Sequence, residues 1–335
     1  MKMKAIEVSN HSGISLKNIL FATDFSEASE AALPYAAAIS GRYHSQLYVA
    51  HVLSPAGYVV PAGHGDVVTL ESMHRAALAD ARERMEAIAS RLKTIPHQTY
   101  IREGGLWDSL SDMITKLDIN LLVVGSQGRT GVEKLVLGSK AEELLRQARC
   151  PVLTVGPNIS GRARLNAIES ENDHPVEISL RQIVYATDFS PESLAAAPFA
   201  ASLAQEFQAK LTLLHVLGKY TDLQQRPRPI DLALLRLEKL VPEEAGLWCS
   251  PRPAVQFGPP ADCILQEALN SRADLIVMGV RAAAGKLGAA THLPWATAHK
   301  VIVQAPCPVL TIPFDATLQP NNEVEGFVQF GEVMP

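Results

Sequence analysis

A glycine-rich segment between residues 125 and 139 has the residue types and spacing best suited to ligand chemistry. It reads G-x2-G-x9-G-S, with Gly125, Gly128, Gly138 and Ser139 at the named positions. Glycine lets the backbone turn sharply and lets a phosphate approach amide groups without a Cβ in the way. Loop glycines are also common after a strand, so this spacing alone is consistent with either a phosphate site or an ordinary loop.

The residues that follow the last glycine strengthen the phosphate interpretation. Ser139-Lys140-Ala141-Glu142 has the form of a capping box, which predicts that Ser139 opens a helix. The start of a helix offers free amides and the positive end of the helix dipole. Arg129 and Lys140 add positive charge nearby. A polyphosphate suits this arrangement, although Ser139 could equally serve only as a cap.

Residues at the ends of two other predicted strands also belong to the candidate site. Thr23-Asp24 comes directly after the first strand, and Val52 ends the second. Because parallel strands place ligand sites at their carboxyl ends, these residues should gather at the same sheet edge as the glycines. Asp24 is interpreted as a contact to a ribose or adenine edge or as a cap of the first helix, since a single carboxylate cannot supply both acid and base. His51 and His215 are interpreted as packed or hydrogen-bonded histidines.

The elements that must position these residues alternate between strand and helix. In the first half, short apolar runs predict five strands, at 19–23, 47–52, 99–101, 121–124 and 152–155. Helical spacing of apolar residues predicts helices that begin at Ser26 and end at Gly41, and that cover 70–92, 106–117 and 139–147. This alternation predicts an α/β fold with a parallel sheet and helices on both of its faces.

The chain repeats itself. Ile19-Leu-Phe-Ala-Thr-Asp-Phe25 recurs as Ile183-Val-Tyr-Ala-Thr-Asp-Phe189, and the pair His51-Val52 recurs as His215-Val216. Cys150-Pro-Val-Leu-Thr154 recurs as Cys307-Pro-Val-Leu-Thr311. Matches in the same order indicate a duplication. We therefore expect two tandem domains, at 1–157 and 180–314, with a linker at 158–179 and a C-terminal tail at 315–335.

The second copy departs from the glycine pattern. Gly279 matches Gly125, but Ala282 stands where the next glycine is expected, and Trp295-Ala296 falls opposite Gly138-Ser139. We expect Trp295 to fill the space that a phosphate would need. This degenerate site is then either closed by packing or open to a ligand other than a polyphosphate, and closure is the favoured interpretation because packing needs no partner.

Five strings of residues resemble the universal stress protein family. They are Ala22-Thr23-Asp24-Phe25-Ser26, His51-Val52, Leu121–Thr130, Leu137-Gly138-Ser139 and Cys150-Pro151-Val152. The resemblance covers both copies. It implies a doubly wound, Rossmann-like domain in each copy, of the adenine nucleotide alpha hydrolase-like type, with a five-stranded parallel sheet. The glycine–serine spacing resembles that of the ATP-binding branch of the family.

The resemblance implies that the first copy binds ATP, with or without Mg²⁺. Adenine and ribose would lie near Asp24 and Val52. The residues implied to bind the nucleotide are Ala22, Thr23, Asp24, Val52, Gly125, Gly128, Arg129, Gly138, Ser139 and Lys140. A side chain added at Gly125 or Gly138 is expected to block the phosphates and to leave the fold intact.

The resemblance also implies how the copies meet. Their fifth strands, at 151–155 and 308–312, would lie side by side in an intramolecular pseudo-dimer. Each such edge strand is apolar and needs covering. Association of two chains into a homodimer stays open at this stage.

Composition narrows the function classes. A net charge of −5 with no basic block argues against nucleic acid or an anionic membrane surface as a partner. No apolar run reaches the ~20 residues that a membrane span needs. The N-terminus lacks the apolar stretch of a secretory signal, and the four cysteines form no C-x-x-C pair. These features predict a cytoplasmic protein with reduced thiols.

The resemblance implies an ATP-binding regulator in the stress response, acting on an unknown protein partner. One alternative is a slow ATPase or phosphotransferase that uses the first copy. Efficient catalysis is not expected, because no clear general base, arginine finger or paired acidic metal site accompanies the glycines. A second alternative is an interaction scaffold in which the nucleotide is structural.

Overall fold

The computed structural model of the protein describes residues 14–53, 67–126, 137–156, 159, 178, 180–218, 227–241, 245–246, 249–281 and 292–314. Strands and helices alternate through both copies. The first copy comprises β1 Asn18–Ala22, α1 Glu27–Tyr43, β2 Gln46–Leu53, α2 Val67–Arg91, β3 His97–Glu103, α3 Leu106–Lys116, β4 Leu121–Gly125, α4 Ser139–Gln147 and β5 Val152–Val155.

The second copy repeats this plan, with its first helix divided in two. Its elements are β6 Gln182–Thr187, α5 Pro191–Leu194, α6 Ala197–Phe207, β7 Lys210–Leu217, α7 Pro227–Glu238, β8 Arg252–Phe257, α8 Pro260–Ser271, β9 Leu275–Arg281, α9 His292–Gln304 and β10 Val309–Phe314. Among the helices that the structure describes, none is long and apolar enough to cross a membrane.

The ten strands of the described residues form one sheet, in the order β3-β2-β1-β4-β5-β10-β9-β6-β7-β8. Within each copy the neighbouring strands are parallel. The prediction of a doubly wound α/β fold with a five-stranded parallel sheet in each copy is confirmed. The strand order reverses between β1 and β4, so the topological switch point of the first copy lies where those two strands end. The matching point in the second copy lies between β6 and β9.

The two copies join through their fifth strands. β5 and β10 pair antiparallel, with Leu153 opposite Leu310, and both leucines are almost completely buried. The Thr311 hydroxyl donates to the Val152 carbonyl oxygen at 3.2 Å. The side-by-side arrangement of fifth strands is thus confirmed, and it leaves neither apolar edge open.

Helices α1 and α6 also meet across the junction. The Arg42 guanidinium forms an ion pair with Glu206 at 3.7 Å, and the Tyr43 hydroxyl lies 3.1 Å from the Ser202 hydroxyl. Burial raises the pKa of Tyr43 to about 12, so this phenol stays neutral at physiological pH. The junction therefore combines a dry strand pair with a polar helix contact.

The four cysteines are buried, and none of them forms a disulfide. Burial raises the pKa of Cys150 to about 12 and that of Cys249 to about 11, which keeps both thiols protonated.

Helix ends were only partly predictable. Ser26 caps α1 as expected, accepting a hydrogen bond from the Ser29 amide at 3.3 Å. Gly41 does not end that helix, which continues to Tyr43 and is closed by His44 in the left-handed conformation. Ser139 is not a cap either: Gly138 is the N-cap of α4, and no side chain satisfies the cap position. The predicted capping box is therefore wrong.

Gly125 is required by packing. A Cβ at this position would lie 2.6 Å from the carbonyl carbon of Ala28 and 2.7 Å from the Ser29 nitrogen, both in the backbone of α1. Gly279 of the second copy meets the backbone of Glu192 in the same way. The expectation that a side chain at Gly125 would leave the fold intact is therefore wrong. Gly138 has φ −59° and ψ 137°, a conformation open to any residue, so the backbone angle does not oppose a side chain there.

We predict that Gly125→Ala destabilises the fold by about 1–3 kcal/mol, because the added methyl group overpacks a backbone contact that cannot rotate away. Gly41→Ala is the matched control, since a Cβ at Gly41 meets nothing within 4 Å and alanine raises helix propensity by up to about 1 kcal/mol. Urea titrations followed by circular dichroism would measure both. A midpoint for Gly125→Ala equal to that of wild type would contradict the packing assignment.

We also predict that the first copy alone, residues 1–157, self-associates, because β5 then presents an uncovered apolar edge. Size-exclusion chromatography coupled to light scattering would show a dimer or larger species for residues 1–157. The intact chain at the same molar concentration is the control. A soluble monomer of 1–157 would count against the dependence of each copy on the β5–β10 pair.

Candidate functional site

The carboxyl ends of β1, β2 and β4 and the start of α4 surround a cavity of about 190 Å³. The structure brings together eight of the residues singled out from the sequence: Ala22, Thr23, Asp24, Val52, Gly125, Gly138, Ser139 and Lys140. Gly128 and Arg129 lie outside the described residues. The cavity thus sits at the topological switch point, where parallel sheets place their ligands.

Other lining residues were not predicted from the sequence. They are Ser29, Ala50, Leu106, Val124, Ala141 and Leu144. Ser29 carried a usable signal, because it recurs as Ser193 within the repeated segment. The remaining five are apolar or small residues whose exposure to the cavity depends on tertiary packing.

A compact hydrogen-bond network holds the turn after β1. The Thr23 hydroxyl oxygen accepts a hydrogen bond from the Phe25 amide at 3.0 Å and lies 3.0 Å from the Ser29 hydroxyl. The Ser29 hydroxyl donates to the Ser26 carbonyl oxygen at 2.9 Å. The turn is therefore tied to the first turn of α1, and the network uses the buried hydroxyls of Thr23 and Ser29 before any ligand arrives.

The backbone of this turn is strained at Phe25, whose φ of 60° lies in the left-handed region. Such a conformation costs a β-carbon-bearing residue about 1–3 kcal/mol and persists where its surroundings impose it. The Asp24 carboxylate accepts a hydrogen bond from the Ser26 amide at 3.0 Å, and the Phe25 ring lies 4.4 Å from that of His51. These contacts fix Asp24 at the mouth of the cavity.

His51 holds the turn after β1 through a hydrogen bond to its backbone. Its Nδ1 donates to the Thr23 carbonyl oxygen at 2.8 Å, and the residue is only 7% exposed. His215 makes the equivalent contact to Thr187, also at 2.8 Å. The interpretation of both histidines as hydrogen-bonded structural residues is confirmed.

The opposite wall of the cavity is the start of α4. Helix geometry leaves the amides of Ser139, Lys140 and Ala141 without a partner inside the helix; the first intrahelical bond runs from Glu142 to the Gly138 carbonyl oxygen. The Lys140 side chain is exposed beside them. This wall is electropositive and suits an anion, whereas the wall at β1 carries the Asp24 carboxylate.

The second copy preserves the turn after its first strand. The Thr187 hydroxyl lies 2.9 Å from that of Ser193 and accepts from the Phe189 amide at 3.0 Å. Phe189 is again left-handed, with φ 62°. Burial alone would raise the pKa of the Asp188 carboxyl, but hydrogen bonds from Ser190 and Ser193 hold that pKa below its usual value. Asp188 is therefore a carboxylate at neutral pH.

Trp295 does not fill the cavity of the second copy. A cavity of about 410 Å³ lies at the ends of β6, β7 and β9, and Trp295 is not among the described residues that line it. Its half-buried ring instead faces the first copy, with the Arg146 guanidinium carbon 4.8 Å from the ring centroid. The expectation that Trp295 fills the phosphate space is wrong, because α9 directs the ring towards α4. Ala282 lies outside the described residues.

Comparisons with known proteins agree on one family. Residues 15–156 and 179–313 each match the sequence profile described as the Universal stress protein family. The chain is 30% identical over 141 residues to Universal stress protein A homolog 1 of Coxiella burnetii, which covers 42% of this chain and 95% of that protein. A universal stress protein of Mycolicibacterium smegmatis is 25% identical over 307 residues, covering 88% of this chain and 96% of that protein.

The fold is also found among solved structures. A universal stress protein from Archaeoglobus fulgidus superposes with a TM-score of 0.62 at 18% identity, covering 90% of this chain and 99% of that chain. This likeness concerns the fold alone. Since the family profile matches twice and spans most of the sequence, the chain belongs to the universal stress protein family, with two of its domains in tandem.

Proposed function

We propose that the first copy binds ATP and that the chain acts as a nucleotide-dependent regulator in the stress response. The observation that carries this proposal is the convergence of eight motif residues on one cavity at the switch point of the first sheet. Gly128 and Arg129 belong to the same proposed site. The residues that the second copy lacks are those assigned to the phosphates.

The two walls of the cavity suit the two ends of ATP. The phosphates would lie at Gly138 and Ser139, where helix amides are unpaired within the helix, and Lys140 would add a charge-assisted contact. Adenosine would lie towards Asp24 and Val52, with Asp24 accepting hydrogen bonds from a ribose hydroxyl or an amino group. Gly125 contributes mainly by letting α1 pack closely, which sets the floor of the cavity.

Magnesium would enter with the nucleotide. Asp24 is the one carboxylate among the described lining residues, and the described residues contain no group of three or more potential metal ligands. Phosphate oxygens of the nucleotide and water would therefore supply most of the ligands of such an ion.

ATP serves in this proposal as a bound signal. A single carboxylate already engaged in a turn cannot provide both the acid and the base of a phosphoryl transfer. The consequence of binding would be a change in the surface offered to a protein partner. Four buried cysteines without a disulfide are typical of a protein in a reducing compartment, so we propose the cytoplasm as the site of action.

We predict that Lys140→Glu weakens ATP binding by about tenfold or more, because it places a negative charge at the start of α4 beside the phosphates. Adenosine, which carries no phosphate, should bind the variant as it binds wild type. Lys93→Glu is the matched control, since it makes the same charge change at an exposed site after α2.

Isothermal titration calorimetry at fixed ionic strength would measure these affinities. Equal losses of ATP affinity in Lys140→Glu and Lys93→Glu would reduce the effect to net charge. Unchanged ATP binding in Lys140→Glu would contradict the placement of the phosphates.

A further inference from the structure

The cavity of the second copy has the size and lining of a small-molecule site. Its volume of about 410 Å³ lies in the range of ligand pockets, about 300–1,000 Å³. Five of the lining side chains are apolar: Leu214, Val216, Pro260, Ile264 and Met278. The polar lining residues include Thr187, Asp188, Ser190 and Ser193.

One part of this cavity reproduces the first copy. Thr187, Asp188, Ser193 and Val216 line it as Thr23, Asp24, Ser29 and Val52 line the first cavity. The supporting hydrogen bonds and the left-handed phenylalanine are also repeated. If the first copy binds ATP, this shared part is the part that would contact adenosine.

Among its described lining residues, the other part of the second cavity lacks the positive charge that Lys140 adds to the first cavity. Glu192 stands where the first copy has Ala28, and its side chain is 14% exposed. Its carboxylate accepts from Arg281 Nε at 2.7 Å and pairs with Nη2 at 2.5 Å. The guanidinium is therefore already neutralised. Burial alone would raise the pKa of Glu192, but hydrogen bonds from its own backbone amide and from Arg281 hold that pKa below its usual value.

The charges can be compared directly among the described lining residues. The first cavity has one carboxylate, Asp24, and one ammonium, Lys140. The second has two carboxylates, Asp188 and Glu192, and one guanidinium that is paired. A phosphate entering the second cavity would meet a carboxylate and would have to break an ion pair, and both steps oppose binding.

We propose that the second copy is a binding site for an uncharged nucleoside, and that Glu192 excludes the phosphorylated forms. This inference rests on the proposed function, because ATP binding by the first copy identifies the shared part as a nucleoside site. The five apolar lining side chains would cover the faces of the base, and the flexible Met278 thioether would contact its aromatic ring. Asp188 would accept a hydrogen bond from a hydroxyl or amino group of the ligand.

The test is a titration of adenosine into the full-length chain saturated with ATP, so that the first copy is occupied. We expect one adenosine per chain, with an affinity at least about tenfold above that of AMP at the same site. The repeat supplies matched variants: Val216→Trp fills the second cavity and Val52→Trp fills the first. Val216→Trp should lose adenosine and keep ATP, whereas Val52→Trp should lose ATP and keep adenosine.

A second variant tests whether Glu192 excludes phosphorylated ligands. Glu192→Gln removes the carboxylate and frees Arg281, so the affinity for AMP should rise about tenfold while that for adenosine stays unchanged. This readout is a gain of binding and does not depend on whether Val216→Trp folds. An unchanged ratio of AMP to adenosine affinity in Glu192→Gln would overturn the proposal.

The outcomes separate this inference from the proposed function. If ATP binds the first copy and no adenosine binds the ATP-saturated chain, the inference fails alone. If ATP binding survives Val52→Trp, or never occurs, the proposed function fails. AMP bound as tightly as adenosine at the position blocked by Val216→Trp would also overturn the inference.

Discussion

The close approach of helix α1 to the end of strand β4 is the constraint on which both cavities depend. At Gly125 the backbone of Ala28 and Ser29 lies where a Cβ would be. That contact places the first turn of α1 over the sheet edge and carries the preceding turn, with Asp24, to the mouth of the cavity. Gly279 keeps the same contact in the second copy. Packing therefore explains why this glycine is present in both copies although the rest of the glycine pattern is present in only one.

The two cavities share the lining residues whose hydrogen bonds stabilise the fold, and they differ in the residues to which we assign the phosphates. The Thr23–Ser29 hydroxyl pair and its counterpart, Thr187–Ser193, satisfy buried polar groups with or without a ligand. The charge beside this turn can change, as it does where Glu192 replaces Ala28, and the hydrogen bonds of the turn are kept.

The strand pair β5–β10 adds a second consequence. Across this pair, Arg146 of α4 lies over the Trp295 ring of α9. Residues of both helices line the two cavities, Ser139 in the first and Thr297 in the second. The two helices that line the cavities are therefore joined by one cation–π contact, of the kind that contributes about 0.5–2 kcal/mol.

The sequence predicted those features that local patterns determine. Apolar runs located the strands, the repeat located the second copy, and Ser26 marked the start of α1, because these signals need no tertiary partner. The end of α1 could not be read from Gly41, since helix C-termini depend on which residue adopts the left-handed conformation, here His44. Trp295 was misplaced because alignment fixes a position along the chain and says nothing of the direction in which a helix presents its side chain.

The packing duty of Gly125 was also invisible in the sequence. A glycine beside a predicted ligand edge reads equally as a phosphate contact or as a close helix contact, and only the backbone positions of Ala28 and Ser29 distinguish the two. The charge at Glu192 gave no local signal either, because its ion pair joins residues 89 positions apart.

The central claim is that the two copies have taken on different ligand chemistry, with phosphates accepted by the first alone. The most direct measurement is the number of ATP molecules bound per chain at saturation, counted by equilibrium dialysis with labelled nucleotide and checked by native mass spectrometry. The account predicts one ATP per chain. Two equivalent ATP molecules per chain, or none, would contradict it.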